Sequence, residues 1–275
     1  MSDKLGFCKL RFSVEEGSKK EKIIKTIIKI ENNIKAFFIK PIYYIKKRKL
    51  NVVFINNQKF YFYDTLFSWA YKGIASEMQS DNYSLNQIEF KPNDIIIDIG
   101  ANIGIVSIYL AKKYPFLKIY SYEPLKTNYE SFIKNIEINK VDKGIIKIFN
   151  SAVTKDSRSI VMKTDDISNS GSFTVDFSKN KVNISDKDIV KSTTLDNIIE
   201  TVLAENKKDS IKLLKIDCEL SEYEILENTK ITNLKRIQNL TGEFHEKEGF
   251  GNVEKLEFYV KKYIPNVKIT KCKLD

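Results

Sequence analysis

Residues able to do chemistry gather in four short stretches. DIIIDIGANIG (94–104) sets Asp98 two residues ahead of a loop that carries Gly100, Ala101, Asn102 and Gly104. SYEP (121–124) places Glu123 before Pro124. KIDCELSEYEIL (215–226) holds Asp217 and Glu219, and GEFH (242–245) holds Glu243 and the chain's only histidine, His245. Glycines in a strand-to-helix turn let backbone approach a ligand closely, and an acid buried just before them needs a cation or donors to offset its desolvation. A dinucleotide fingerprint would put a glycine at position 102, where this chain has asparagine, so a nicotinamide cofactor fits poorly. Glu123 has the acceptors to take both hydroxyls of a ribose. Asp217, Glu219, Glu243 and His245 are candidate general bases, because a carboxylate beside an imidazole orients and tunes it. The same set is suited to holding a divalent metal such as Mg2+ that lowers the pKa of a hydroxyl.

These groups act together only if elements bring them to one edge. From Asp94 onward, apolar runs alternate with helical periods: IIIDIG then IGIVSIYLAKKY, KIYSYEP then TNYESFIKNIEIN, LDNIIETVLAE then IKLLKIDCE. This predicts a doubly wound, mostly parallel, Rossmann-like α/β domain over residues 91–275. Ligands bind outside the carboxyl ends of such strands, where all four stretches fall. IIKIFNSAV adds Ser151 and Ala152 at a further strand end, beside the adenine of a nucleoside ligand. Asp196, in TTLDNII, reads as a helix cap. Residues 155–192 are polar and read as an inserted flap, in which NSGSF (169–173) offers groups suited to a carbohydrate. Upstream, residues 51–90 read as a lead-in segment: NVVFINNQKFYFYDTLF is a β-hairpin turning at Asn56 and Asn57, and a helix follows.

In wording and order, DIGANIG, YEP, STTLDNI, KIDCE with SEYEIL, and EFH resemble the FkbM family of methyltransferases, over about residues 85–246. The resemblance implies the class I methyltransferase fold, S-adenosylmethionine as cofactor, and O-methylation of hydroxyls on sugars, glycans and natural products. On that reading Asp98, Gly100, Ala101, Asn102 and Gly104 hold the methionine portion, whose ammonium and sulfonium answer the acid. Glu123 and Pro124 then meet the ribose, and Ser151 and Ala152 the adenine. Asp217 faces the methyl donor, with Glu219, Glu243 and His245 completing the catalytic set. The acceptor would be a sugar, nucleotide-sugar or glycan, as in cell-surface polysaccharide synthesis. The chain departs from the family's pattern where Leu220 and Ser221 follow Glu219, since glycine usually stands there. Two other functions remain open: a nucleic-acid or other small-molecule methyltransferase, and a non-catalytic S-adenosylmethionine-binding scaffold. Nucleic acid is disfavoured because DCEL replaces the N/D-P-P-Y/F loop of enzymes that methylate exocyclic amines.

Charge divides the chain. Residues 1–50 contain fourteen Lys or Arg against five acids, a balance of +9 out of a net +10. Ile23, Ile27, Ile30, Ile34 and Phe37 recur at helical spacing until Pro41, so residues 1–50 read as a basic amphipathic helical extension. Its residues 19–49 suit an anionic membrane surface, and its apolar stripe equally suits packing on the main domain or on a second copy in a homo-oligomer. No signal peptide or membrane span is evident, which points to the cytoplasm, with peripheral attachment at the inner face of the membrane. Three widely spaced cysteines, Cys8, Cys218 and Cys272, read as free thiols.

Overall fold

A computed structural model describes residues 48–65, 70–163, 173–175, 189–246 and 251–273. The basic amphipathic helix and its membrane-facing or packing stripe lie outside the described residues, as does NSGSF up to Ser172.

The hairpin forms as expected. Strands β1 (Arg48–Ile55) and β2 (Gln58–Thr65) pair antiparallel around Asn56 and Asn57, at φ 48° and 64°. Positive φ at both central residues makes a type I′ turn, which matches strand twist and which asparagine tolerates. Helix α1 (Ala70–Gln79) and a 3-10 turn (Leu85–Gln87) follow. The chain then alternates: β3 (Ile95–Ile99), α2 (Ile105–Lys113), β4 (Lys118–Tyr122), α3 (Lys126–Ile138), β5 (Ile146–Phe149) and the short β6 (Ala152–Val153). The flap supplies β7 (Ile160–Lys163), β8 (Phe173–Val175) and β9 (Ile189–Val190), paired antiparallel, and β10 (Ser192–Thr193) pairs parallel with β6. The last run is α4 (Leu195–Asn206), β11 (Leu213–Ile216), α5 (Glu222–Glu227), α6 (Ile231–Leu234), β12 (Asn239–Glu246), α7 (Val253–Val260) and β13 (Asn266–Lys273).

The main sheet has the order β13-β12-β11-β3-β4-β5, and every neighbouring pair is parallel. Among the described residues, antiparallel pairing is confined to the hairpin and the flap. The chain runs outward from β3 to β5 and returns to the other side of β3 with β11. The switch point, where ligands bind in open α/β sheets, therefore lies between β3 and β11.

Strand β3, IIIDI, is buried on both faces, as a central parallel strand must be. Ile95, Ile97 and Ile99 join the core built with α4, α5 and α7, whereas Ile96 joins the opposite core with α2 and α3. Strand periodicity puts Asp98 on the Ile96 face. Val53, Ile55, Phe60 and Phe62 of the hairpin belong to that same core. The outer edge of β2 is answered by side-chain amides of α3 and the residue that follows it. Tyr63 N donates to Asn135 Oδ1 at 2.6 Å and Tyr61 N to Asn139 Oδ1 at 3.0 Å. These asparagines stand where a further strand would otherwise pair. The lead-in segment is thus one layer of the main core. One expectation is corrected: Cys272 is disulfide-bonded, since spacing along the chain does not report which thiols meet in space, while Cys218 is free.

Candidate active site

The turn after β3 is shaped by three residues in the left-handed region: Gly100 (φ 73°), Asn102 (φ 52°) and Gly104 (φ 88°). Asparagine at 102 meets the same backbone demand that a glycine would. Gly100 N and Ala101 N donate to Tyr122 O at 3.0 and 3.1 Å, folding the turn against the end of β4. A Cβ at Gly100 would lie 1.8 Å from Asp217 O, and one at Gly104 would lie 2.0 Å from the Phe132 ring. Both glycines therefore serve close approach: the first to β11, the second between α2 and α3.

Glu123, buried at the end of β4, braces this turn. Its Oε2 accepts from Asn102 N at 2.8 Å and its Oε1 from Leu125 N at 2.9 Å. Burial raises its pKa to about 7 against the pull of those amides. Each carboxylate oxygen has a second lone pair, so the brace and a contact to ribose are compatible. Pro124 lies beside it, and Asn150 Nδ2 donates to the carbonyls of Glu123 and Pro124 at 3.0 and 2.8 Å. Ser151 Oγ donates to backbone at Ala152 and Lys191, and Ala152 is buried in β6.

Beneath the turn a polar row crosses the sheet. The register aligns Ser121, Asp98, Lys215 and Thr241 on adjacent strands β4, β3, β11 and β12. Asp98 is 1% exposed, and its Oδ2 accepts from Ser107 Oγ at 2.6 Å. Its Oδ1 is 3.3 Å from Lys215 Nζ, which also donates to Gly100 O at 2.9 Å. Burial alone would lower the pKa of Lys215, but the carboxylates of Asp98 and Asp217 outweigh it and hold the ammonium charged. The cation that answers Asp98 is therefore Lys215 of the same chain, where the sequence reading looked to the ligand. Lys215 was overlooked, although a lysine inside LLKID, an otherwise apolar buried strand, requires a partner.

The carboxyl ends of β11 and β12 form an acidic wall. Asp217 follows β11 with its Oδ2 3.4 Å from the Tyr83 hydroxyl, which donates to Glu77 Oε2 at 3.0 Å. Tyr83 is 3% exposed, and its carbonyl accepts from Thr241 Oγ1 at 2.7 Å. Glu219 (φ 51°) and Leu220 (φ 82°) make a left-handed turn into α5, which gives a physical reason for the glycine usual after this glutamate. Glu222, unflagged in the sequence, is fully buried and accepts from Cys218 N at 2.7 Å. His245, 3% exposed on β12, sits between acids. Its Nδ1 is 3.2 Å from Glu222 Oε1 and its Nε2 is 3.5 Å from Glu219 Oε2. Burial lowers its pKa, but Glu222, Glu219 and Asp217 together raise it to about 9, so the imidazole is not the neutral base the sequence led us to expect. Burial, with Asp217 and Glu77, raises Glu243 to about 7. Asp217, Glu219 and His245 meet in this wall, and charge coupling ties Glu243 to them. Asp196 stands elsewhere: it accepts from Lys230 N at 3.1 Å, just ahead of α6, and the side chain that caps α4 is Thr194.

A glycine turn over a switch point, a carboxylate at the next strand end and an acidic wall facing both suit a nucleoside that carries an amino acid and a sulfonium. The chain is a class I, Rossmann-like, S-adenosylmethionine-dependent methyltransferase. It belongs to the FkbM methyltransferase family: residues 98–263 match the family described as Methyltransferase FkbM domain. Methyltransferase sdnD of Sordaria araneosa is 25% identical over 178 residues, covering 57% of this chain and 68% of that protein. The 31-O-demethyl-FK506 methyltransferase FkbM of Streptomyces tacrolimicus is 24% identical over 189 residues, 61% of this chain and 71% of that protein. Among solved structures, a precorrin-6y C5,15-methyltransferase from Geobacter metallireducens GS-15 is similar at 11% identity and a TM-score of 0.32. That similarity covers 59% of this chain and 58% of that one. Among the described residues, no helix is long and apolar enough to cross a membrane.

Proposed function

We propose that this methyltransferase acts on a hydroxyl of a sugar, nucleotide-sugar or glycan precursor. The observation that carries the reading is the acidic wall of Asp217, Glu219 and Glu243 beside the glycine turn. A hydroxyl must lose its proton as its oxygen is methylated, and carboxylates at the reacting edge are the groups to receive it. A relative whose name specifies a 31-O-demethyl substrate agrees with an oxygen acceptor.

When bound, S-adenosylmethionine supplies an electrophilic methyl group on a sulfonium. The turn at Gly100, Ala101, Asn102 and Gly104, with Glu123 and Pro124, would hold it across the switch point. Asp217, whose Oδ2 lies 3.4 Å from the Tyr83 hydroxyl, would accept the proton that the acceptor hydroxyl gives up. Glu219 and Glu243 line the approach of the acceptor. The test is transfer of labelled methyl to a panel of sugars, nucleotide-sugars and glycans. An ether product keeps its label in mild alkali, whereas an ester loses it. Asp217→Asn should keep cofactor binding and lose turnover by about 100-fold, the scale of general-base catalysis. Label found only in alkali-labile esters, or only in nucleic acid, overturns the assignment.

A further inference from the structure

We propose that Tyr83 and Glu77 relay the proton taken up by Asp217 away from the reacting centre, through one phenol hydroxyl shared between two carboxylates. The inference rests on the reading of Asp217 as the base. The Tyr83 hydroxyl donates to Glu77 Oε2 at 3.0 Å and lies 3.4 Å from Asp217 Oδ2. A phenol has one hydrogen to donate and lone pairs with which to accept. It therefore serves one carboxylate at a time, and the shorter contact gives the hydrogen to Glu77. Asp217 Oδ2 is left facing the phenol oxygen, beyond the roughly 2.5–3.0 Å usual between hydrogen-bonded oxygens. Once Oδ2 carries a proton, its own O–H donates to that oxygen and the contact becomes a hydrogen bond. The three groups form a row with room for one proton more.

Packing fixes the link. Tyr83 is buried, and its backbone carbonyl accepts from Thr241 Oγ1 at 2.7 Å, which ties it to β12. Burial, with the charges of Asp217, Glu77 and Glu243, pushes its pKa well up, so it stays a neutral phenol that must receive one proton as it gives another. Glu77 is half-buried on α1, and burial with the Asp217 carboxylate raises its pKa against the pull of Tyr83, Lys215 and His245. The Asp217 side chain is 22% exposed, and an acceptor giving up its proton there covers that direct route to water. The acceptor O–H bond breaks as its oxygen takes the methyl group, and the proton goes to Asp217. The carboxyl turns about its last bond to bring it to Oδ2. Oδ2 then passes it to the Tyr83 oxygen while the Tyr83 hydrogen passes to Glu77 Oε2, and Glu77 releases it to water. One proton enters the row and one leaves, so Asp217 returns to carboxylate and Tyr83 remains neutral.

Two measurements on the full chain test the relay. Tyrosine carrying carbon-13 at the ring carbon that bears the hydroxyl reports on Tyr83 by magnetic resonance, its signal identified by loss in Tyr83→Phe. Across the acid range that signal should move in two steps, one absent in Glu77→Gln and the other absent in Asp217→Asn. A signal that follows only one of the two acids, or neither, overturns the relay. Turnover is measured with S-adenosylmethionine and an acceptor from the panel above. Glutamine at 77 keeps an oxygen for the Tyr83 hydroxyl but takes no proton, so a role in bracing alone predicts unchanged turnover. The relay predicts a kcat lower by about 10- to 100-fold in Glu77→Gln and Tyr83→Phe alike, with KM unchanged for both substrates. Formate buffer should restore much of the Glu77→Gln loss, and Glu77→Asp should recover part of it. Full kcat in Glu77→Gln and Tyr83→Phe, beside a loss of about 100-fold in Asp217→Asn, sinks the relay alone. Full kcat in Asp217→Asn sinks the base assignment and the relay with it.

Discussion

Replacing Asp98 by asparagine separates what this acid does for the fold from what it does for the ligand. Lys215 is buried, and its nearest carboxylates are Asp98 at 3.3 Å and Asp217 at 3.8 Å. At an effective dielectric of about 20, a unit pair at the Asp98 distance attracts by about 5 kcal/mol, and the Asp217 pair by slightly less. The second pair is weakened by solvent, because the Asp217 side chain is 22% exposed. Asp98→Asn therefore leaves a buried ammonium with partial compensation, and a loss of about 3 kcal/mol is expected, the low end for breaking a buried pair. Asparagine keeps an oxygen for Ser107, so the loss reports the charge and not the hydrogen bond. Urea unfolding followed by circular dichroism measures it. Lys215→Met should lose a similar amount, and the double variant should lose less than the sum by about 2 kcal/mol or more. An unfolding midpoint unchanged in Asp98→Asn, together with lost cofactor affinity, would refute the reasoning and return the acid to the ligand. Additive losses in the double variant would refute it equally.

Three further outcomes are expected. Glu123 is raised by burial from 4.5 to about 7, so its contribution to stability is full below pH 4.5 and is lost as pH rises through 7. The change amounts to about 3 kcal/mol. Urea midpoints across that range should fall with pH, and Glu123→Gln should flatten the slope; an unchanged slope rejects the assignment. Leu220→Gly should stay within about 1 kcal/mol of the parent, because relief of the left-handed strain at φ 82° offsets glycine's entropy and the lost side-chain burial. Gly100→Ala should lose on the order of 3 kcal/mol, since its Cβ would lie 1.8 Å from Asp217 O. Equal thermal midpoints for these two variants would count against both.

The sheet and the turn were legible because each rests on local pattern. Isoleucine runs ending in acids gave β3 and its turn, and Asn56-Asn57 between alternating aromatics gave the hairpin. Asp217, Glu219, Glu243 and His245 could be gathered from topology alone, because strand ends in a parallel sheet share an edge. Pairing across strands could not. That Lys215 faces Asp98 depends on the register of β11 against β3, and no window of sequence contains both. Glu222 was hidden by its place in an apparently ordinary helix start, and Tyr83 and Glu77 by lying ahead of every recognisable motif. The protonation of His245 depends on how many acids surround it, which is a property of packing.

The segment matched to the family begins at Asp98, yet the wall behind Asp217 begins earlier. Tyr83 and Glu77 reach the site from the lead-in segment, and Phe60 and Phe62 fill the same core as Ile96 and Phe132. A chain cut at the family boundary would lose Ile95, Ile96 and Ile97 of the central strand β3, which carries the turn, and would leave Asp217 without its hydroxyl partner. The working catalytic unit therefore includes the hairpin, and any transplant of this site into a related scaffold must carry the hairpin with it.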